Sequence, residues 1–218
     1  MTKYLFVGPS ANEASFGLAK ELGLVVLPPV KRGDVRGLAQ AQEAGQIIIA
    51  DGVFGHVPAV SHDELVGAID EGWAIVGVSS LGAIRAYELR DHGMIGFGWV
   101  YQQFFKHDDF TDDELCLFHT PEPPYRTITE PLVNIRYLLD CCAVSFGIDE
   151  EACLNIIDDL AQLWFGDRSL DVVRRTIIKR ARILSSDLEE LMNLIPSHRI
   201  KSIDLESLLT SFGAKHDN

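Results

Sequence analysis

The sequence predicts an α/β protein, a doubly wound, mostly parallel sheet followed by a C-terminal all-helical extension. Three observations carry that expectation. Short apolar runs in the first half are continuous rather than alternating, the mark of strands buried on both faces. Helix-like segments separate them, so successive strands are joined by crossovers and run parallel. Beyond Glu130 the chain reads as one helix after another. The expected division is an α/β core over residues 1–125 and a helical extension over 126–218.

Tyr4-Leu5-Phe6-Val7 forms the first strand, closed by Gly8-Pro9-Ser10. Asn12 to Glu21 suits a helix ended by Gly23, and Leu24 to Leu27 a second strand stopped by Pro28-Pro29. Asp34 is placed to cap a helix that ends near Gly45. Ile47-Ile48-Ile49-Ala50 is a third strand, turned by Asp51-Gly52. Ser61-His62-Asp63-Glu64 has the form of a capping box, opening a helix that ends at Gly72. Trp73 to Val78 makes the fourth strand. From Gly93 to Pro124 the periodicity weakens: Gly93, Gly96 and Gly98 interrupt an aromatic segment, and Leu115-Cys116-Leu117-Phe118 reads as one more strand. The later helices break near Gly147, Gly166-Asp167, Ser185-Ser186 and Pro196.

A hydrophobic fraction of 47% over 218 residues supports a core without covalent staples. The net charge of −13 argues against nucleic acid or an anionic membrane as partner, since both demand a basic surface. None of the four cysteines forms a C-x-x-C pair, and three lie in apolar surroundings that favour small buried side chains. Met1-Thr2-Lys3 leads directly into the first strand, and no apolar run is long enough to span a membrane. A reduced, cytoplasmic protein is the expectation. The acidic stretch from Asp108-Asp109 to Asp112-Asp113-Glu114 lacks calcium-loop spacing and reads as a solvated loop. No histidine–carboxylate spacing suggests zinc, so neither metal nor cofactor is expected.

The chemistry-bearing stretch is Ala74 to Leu89, where a buried strand becomes a helix across Ser79-Ser80. In open parallel sheets ligands gather at the carboxyl ends of strands, near a reversal of strand order. Ser10, Asp51 and Ser79-Ser80 all follow strands at that edge. Val78-x-Ser80-x-Gly82-Ala83 approximates the G-x-S-x-G nucleophile elbow, with valine enlarging its first small position. Leu81 and Gly82 would supply oxyanion-binding N–H groups. Ser79 is the alternative hydroxyl, and an anion site without covalency or a plain N-cap stays open at this junction. Asp51 can orient a histidine, act as a base, bind a cation or simply form an Asx-turn. His62 is the candidate general base, and His56 a weaker one. Arg85 can reach an anion at the helix start or pair with Glu88.

These residues resemble the TfuA-like family. The matching blocks are Phe6-Val7-Gly8-Pro9-Ser10, Pro28-Pro29-Val30 with Arg32-Gly33-Asp34, Asp51-Gly52-Val53-Phe54 with Ala59-Val60-Ser61-His62, and Gly77 through Ala86. Glu88-Leu89, Gly93-Met94-Ile95-Gly96, Asp112-Asp113-Glu114, His119, Tyr125, Glu130-Pro131 and Asn134-Ile135-Arg136 continue the order. The resemblance implies a role in RiPP biosynthesis beside YcaO-type, ATP-dependent cyclodehydratases that make peptide thioamides. The cyclodehydratase activates a backbone amide oxygen as a phosphate ester, and a sulfur source displaces it. The TfuA-like partner is expected to help supply that sulfur from the thiocarboxylate of a ubiquitin-like sulfur-carrier protein. Two mechanisms fit. In one, Ser80 attacks the thiocarboxylate, Leu81 and Gly82 hold the oxyanion, His62 shuttles the proton, Asp51 orients His62, and Ser79, Ser10 and Arg85 contribute to binding. In the other, the protein is a non-catalytic partner that recruits or activates YcaO and keeps only an anion-binding pocket. A homo-oligomer is compatible with both.

Overall fold

A computed structural model describes residues 2–53, 57–107 and 109–213. Phe54, His56 and Asp108, named above, lie outside the described residues. The chain forms two compact units, Met1–Phe110 with Lys201–Asn218, and Thr111–Ile200.

The first unit holds a sheet of β1 (Lys3–Phe6), β2 (Val25–Leu27), β3 (Gln46–Ile49), β4 (Ala74–Val78) and β5 (Ile95–Phe97). Their order is β2-β1-β3-β4-β5, and every pairing is parallel. The predicted α/β class is therefore the observed one. β5 lies outside the strands the sequence predicts, because three residues around a glycine carry no periodic signal; it pairs Ile95 with Val76 and Phe97 with Val78. Leu115–Phe118, expected as a strand, instead follows a 3₁₀ turn at Asp112–Glu114.

The helices are α1 (Glu13–Glu21), α2 (Asp34–Ala41), α3 (His62–Asp70), α4 (Leu81–Glu88) and α5 (Trp99–Lys106) in the first unit. The second contains α6 (Leu132–Cys142), α7 (Glu150–Ala161), α8 (Leu170–Arg180) and α9 (Ser185–Leu194). α10 (Ile200–Gly213) belongs to the first unit from Lys201 onward. Among the described residues no helix is long and apolar enough to cross a membrane.

Strand residues alternate between faces, and here both faces are covered. Leu5, Val7, Ile48, Ala50, Val76 and Val78 form one cluster with Ala19 of α1 and Leu205, Leu208 and Leu209 of α10. On the opposite face Phe6, Ile47, Ile49 and Ile75 are buried, and α4 presses backbone to backbone. A Cβ added to Gly82 would stand 1.7 Å from the Ile49 carbonyl oxygen, and one on Gly77 1.9 Å from the Gly82 carbonyl oxygen. Only glycine admits that approach.

Two helix starts borrow their caps from distant residues. α2 begins after Gly33 rather than being capped by Asp34; the Glu64 carboxylate accepts from Gly33 N and Arg36 N, both at 3.0 Å. Ser61 caps α3 as expected, but Glu64 does not return to Ser61, so the capping box is half realised. At α5, Asp204 accepts from Trp99 N at 2.8 Å and Val100 N at 2.9 Å. Burial pushes the Asp204 carboxyl up to about 6, against the lowering effect of those two hydrogen bonds.

The second unit packs α6 to α9 around Leu132, Ile135, Leu139, Ile156, Leu160, Val173 and Leu191. Its acidic entry is not a uniformly solvated loop. Asp113 pairs with the fully buried Arg168, whose other donors reach the Leu160, Asp113 and Leu163 carbonyls, and Glu114 pairs with Arg136. Cysteine burial also departs from expectation: Cys142 is buried, Cys141 exposed, and Cys116 and Cys153 intermediate. Adjacent helical residues point about 100° apart, so apolar surroundings in sequence do not fix a single residue's face.

Gly82→Ala should lower the unfolding free energy by about 3 kcal/mol or more in urea titrations, because backbone rather than a flexible side chain must yield. Asp204 should make stability pH-dependent. Its raised folded value means that its favourable contribution is complete below the ordinary aspartate range and is lost as pH rises through about 6. Thermal unfolding of Asp204→Asn between pH 4 and 7 should show a flatter slope than wild type.

Candidate functional site

The strand order reverses between β1 and β3, and the loops after these strands meet there. Asp51 follows β3 and is buried, as is Ser10 after β1. One Asp51 carboxylate oxygen accepts from Gly8 N at 2.8 Å and Ser10 N at 2.9 Å; the other accepts from Ser10 Oγ at 2.7 Å. The chain's own carboxylate thus fills the cradle of N–H groups at the switch point. Asp51's backbone is committed as well, its N–H to Phe6 O and its carbonyl to Val30 N. Of the sequence-derived residues, the structure brings Asp51 and Ser10 into direct contact.

The β4–α4 junction lies beside this knot. Ser80 N and Gly82 N both donate to Ala50 O, at 3.2 and 3.3 Å. Gly82 therefore has no free N–H for an oxyanion, while Leu81 N–H has no acceptor among the described residues. The left-handed backbone of the elbow sits at Ser79, with φ 65°, rather than at Ser80. Ser79 is fully buried, and its Oγ donates to Lys201 O at 2.6 Å, fastening the end of β4 to the start of α10. Ser80 occupies the N-cap position of α4 without a side-chain capping bond, and is 3% exposed.

His62 opens α3, half-exposed, and its Nε2 is 2.8 Å from Glu88 Oε2. Arg85 donates from Nη1 to the same oxygen and from Nε to Val60 O at 3.1 Å. Glu88 lies about 12 Å along the axis of α4 from Ser80, eight residues at 1.5 Å each. His62 is thus tied to the far turn of α4, and Asp51 to the β1 loop. The structure does not join Ser80, His62 and Asp51 into a hydrogen-bonded relay. The Arg85–Glu88 pair is the one the helical spacing anticipates. The His62–Glu88 contact joins two different helices, and nothing local in the sequence announces it.

Chemically, the edge offers a shielded hydroxyl at Ser80, one amide donor at Leu81, and a surface imidazole–carboxylate–guanidinium cluster on α3 and α4. A family model described as TfuA-like protein matches residues 51–169, more than half of the chain. The match begins at Asp51 itself and spans the β4–α4 junction. No curated protein matches the chain.

Asp51→Ala should prove far costlier than a surface change, because it leaves buried N–H groups of Gly8 and Ser10 without an acceptor. A loss of about 3 kcal/mol is expected in chemical denaturation, against less than about 0.5 kcal/mol for Glu88→Gln.

Proposed function

This chain belongs to the TfuA-like family, which is associated with YcaO-dependent thioamidation, and on that premise we propose that it is the sulfur-delivering accessory partner of a YcaO-type enzyme, working by docking and presentation rather than through a serine triad. The sulfur would arrive as the C-terminal thiocarboxylate of a ubiquitin-like carrier protein. The observation that carries this reading is the separation of the triad residues. Asp51's oxygens are occupied by Gly8 and Ser10, and His62 is bonded to Glu88 two turns beyond Ser80. A serine needs an adjacent base to become a nucleophile near neutral pH, and none is bonded to Ser80 among the described residues. The edge is instead tightly cross-braced, which suits a surface that must present a fixed shape to a partner.

Serine-dependent thiocarboxylate hydrolysis is the second reading. Two observations favour it: the left-handed elbow at Ser79 and the Leu81 N–H, which has no acceptor among the described residues. In that mechanism the Ser80 hydroxyl adds to the thiocarbonyl-bearing carbon, hydrogen sulfide leaves, and water releases the carrier's carboxylate.

The two readings separate in one assay. On the proposed reading, wild-type protein without YcaO releases no sulfide from thiocarboxylated carrier beyond the carrier's own background. Ser80→Ala and Ser79→Ala then support YcaO-dependent thioamidation as wild type does, provided that they remain folded. Sulfide release by wild type that falls by orders of magnitude in Ser80→Ala would establish the hydrolase instead.

A further inference from the structure

The second unit contains a thiol–imidazole pair that the delivery reading does not use. Cys142, the last residue of α6, places Sγ 3.4 Å from His198 Nε2. The other ring nitrogen, Nδ1, lies 2.9 Å from Leu194 O and 3.1 Å from Ser197 Oγ. A carbonyl oxygen only accepts, so Nδ1 carries the hydrogen in the neutral ring. Nε2 is then the bare nitrogen, and it faces the thiol. Ser197 Oγ donates to the same Leu194 carbonyl at 2.9 Å, and the Tyr137 ring flanks the imidazole with centroids 6.4 Å apart. Nucleophile, base and a group that fixes the base's tautomer are all present, the arrangement by which a thiol is activated.

The surroundings decide which chemistry suits that thiol. Burial, and then the neighbouring Cys141, push the Cys142 thiol up, so it rests protonated and depends on His198 to take its proton. Cys142 sits at the carbonyl end of α6, where the partial charge is negative. An acyl transfer would build an oxyanion beside those carbonyls, which is unfavourable. Attack on sulfur builds no oxyanion. A thiocarboxylate's sulfur is already fully reduced and would need an oxidant to form a sulfur–sulfur bond with a thiol. A persulfide needs none.

We propose that Cys142, with His198 as its base, is a sulfur-holding thiol that accepts sulfane sulfur from a persulfide donor. His198 Nε2 takes the Cys142 proton as Sγ attacks the terminal sulfur of R–S–SH. The donor's sulfur–sulfur bond breaks, and the departing thiolate recovers the proton from His198. Cys142–SSH and RSH are the products, with atoms and electrons balanced. The proposal goes beyond the delivery reading: it names a second form, drawn from a persulfide rather than a thiocarboxylate, in which this chain itself holds sulfur.

The test exposes the whole protein to glutathione persulfide, with neither YcaO nor carrier present, and follows each cysteine-containing peptide by mass. Wild type should add one sulfur atom to Cys142 before the more exposed Cys141, and Cys141→Ser should leave that rate unchanged. His198→Gln, which keeps a hydrogen-bonding oxygen but no base, should slow loading about 10²-fold, and Cys142→Ser should abolish it. Earlier loading of Cys141, or wild-type loading of Cys142 in a folded His198→Gln, would overturn the proposal. The wild-type order of loading decides the matter even if the histidine variant does not fold. Because no YcaO or carrier takes part, failure here would leave the partner role standing, and failure of that role would not alter this result.

Discussion

The carboxylate of Asp51 holds the switch point of the sheet together. Where β1 and β3 diverge in connection, their following loops carry backbone N–H groups that water cannot reach. Asp51 accepts from Gly8 N, Ser10 N and Ser10 Oγ, and its backbone adds bonds to Phe6 and Val30. Hydrogen bonds to a buried carboxylate are stronger than neutral ones, and leaving such donors unpaired is costly. The next carbonyl back, Ala50 O, then receives Ser80 N and Gly82 N, so the β4–α4 junction is registered against the same segment.

That device recurs through the first unit. Glu64 finishes the start of α2, Asp204 finishes the start of α5, and Ser79 Oγ meets the carbonyl of Lys201. Each side chain satisfies backbone polar groups far away in sequence. The result is a sheet edge whose loops are fixed by buried polar bonds, with the closest helix seated on it through Gly77 and Gly82. Hydroxyls and carboxylates in such positions serve the frame before they serve chemistry. The aspartate and histidine suggestive of a triad are held in this way, Asp51 by Gly8 and Ser10 and His62 by Glu88, while Ser80 makes no side-chain capping bond.

On the proposed readings, sulfur handling divides between two kinds of surface. A braced α/β edge suits recognition, where shape must persist. The thiol–imidazole pair at the end of α6 suits chemistry, because one Cys142–His198 contact with an oriented Nδ1 needs no further assembly. Nothing local in the sequence announces the pair, because its members are 56 residues apart and Cys142 reads only as a small apolar helix residue.

Sequence alone determined the α/β class, four of the five strands, the helix breaks after Glu130, and the family to which residues 51–169 belong. Continuous apolar runs, glycine stops and capping residues act over a few positions, so their physics is written locally. The convergence of Ser10 and Asp51 at one edge was also legible, because parallel connectivity forces strand ends together. Tertiary structure decided the rest: β5, seated by pairing with β4; α10, whose Leu205, Leu208 and Leu209 cover the sheet; and the partners of Glu64, His62, Ser79 and Cys142. A buried polar group must find a partner, but the sequence does not say which of many distant donors or acceptors packing will bring within hydrogen-bond reach.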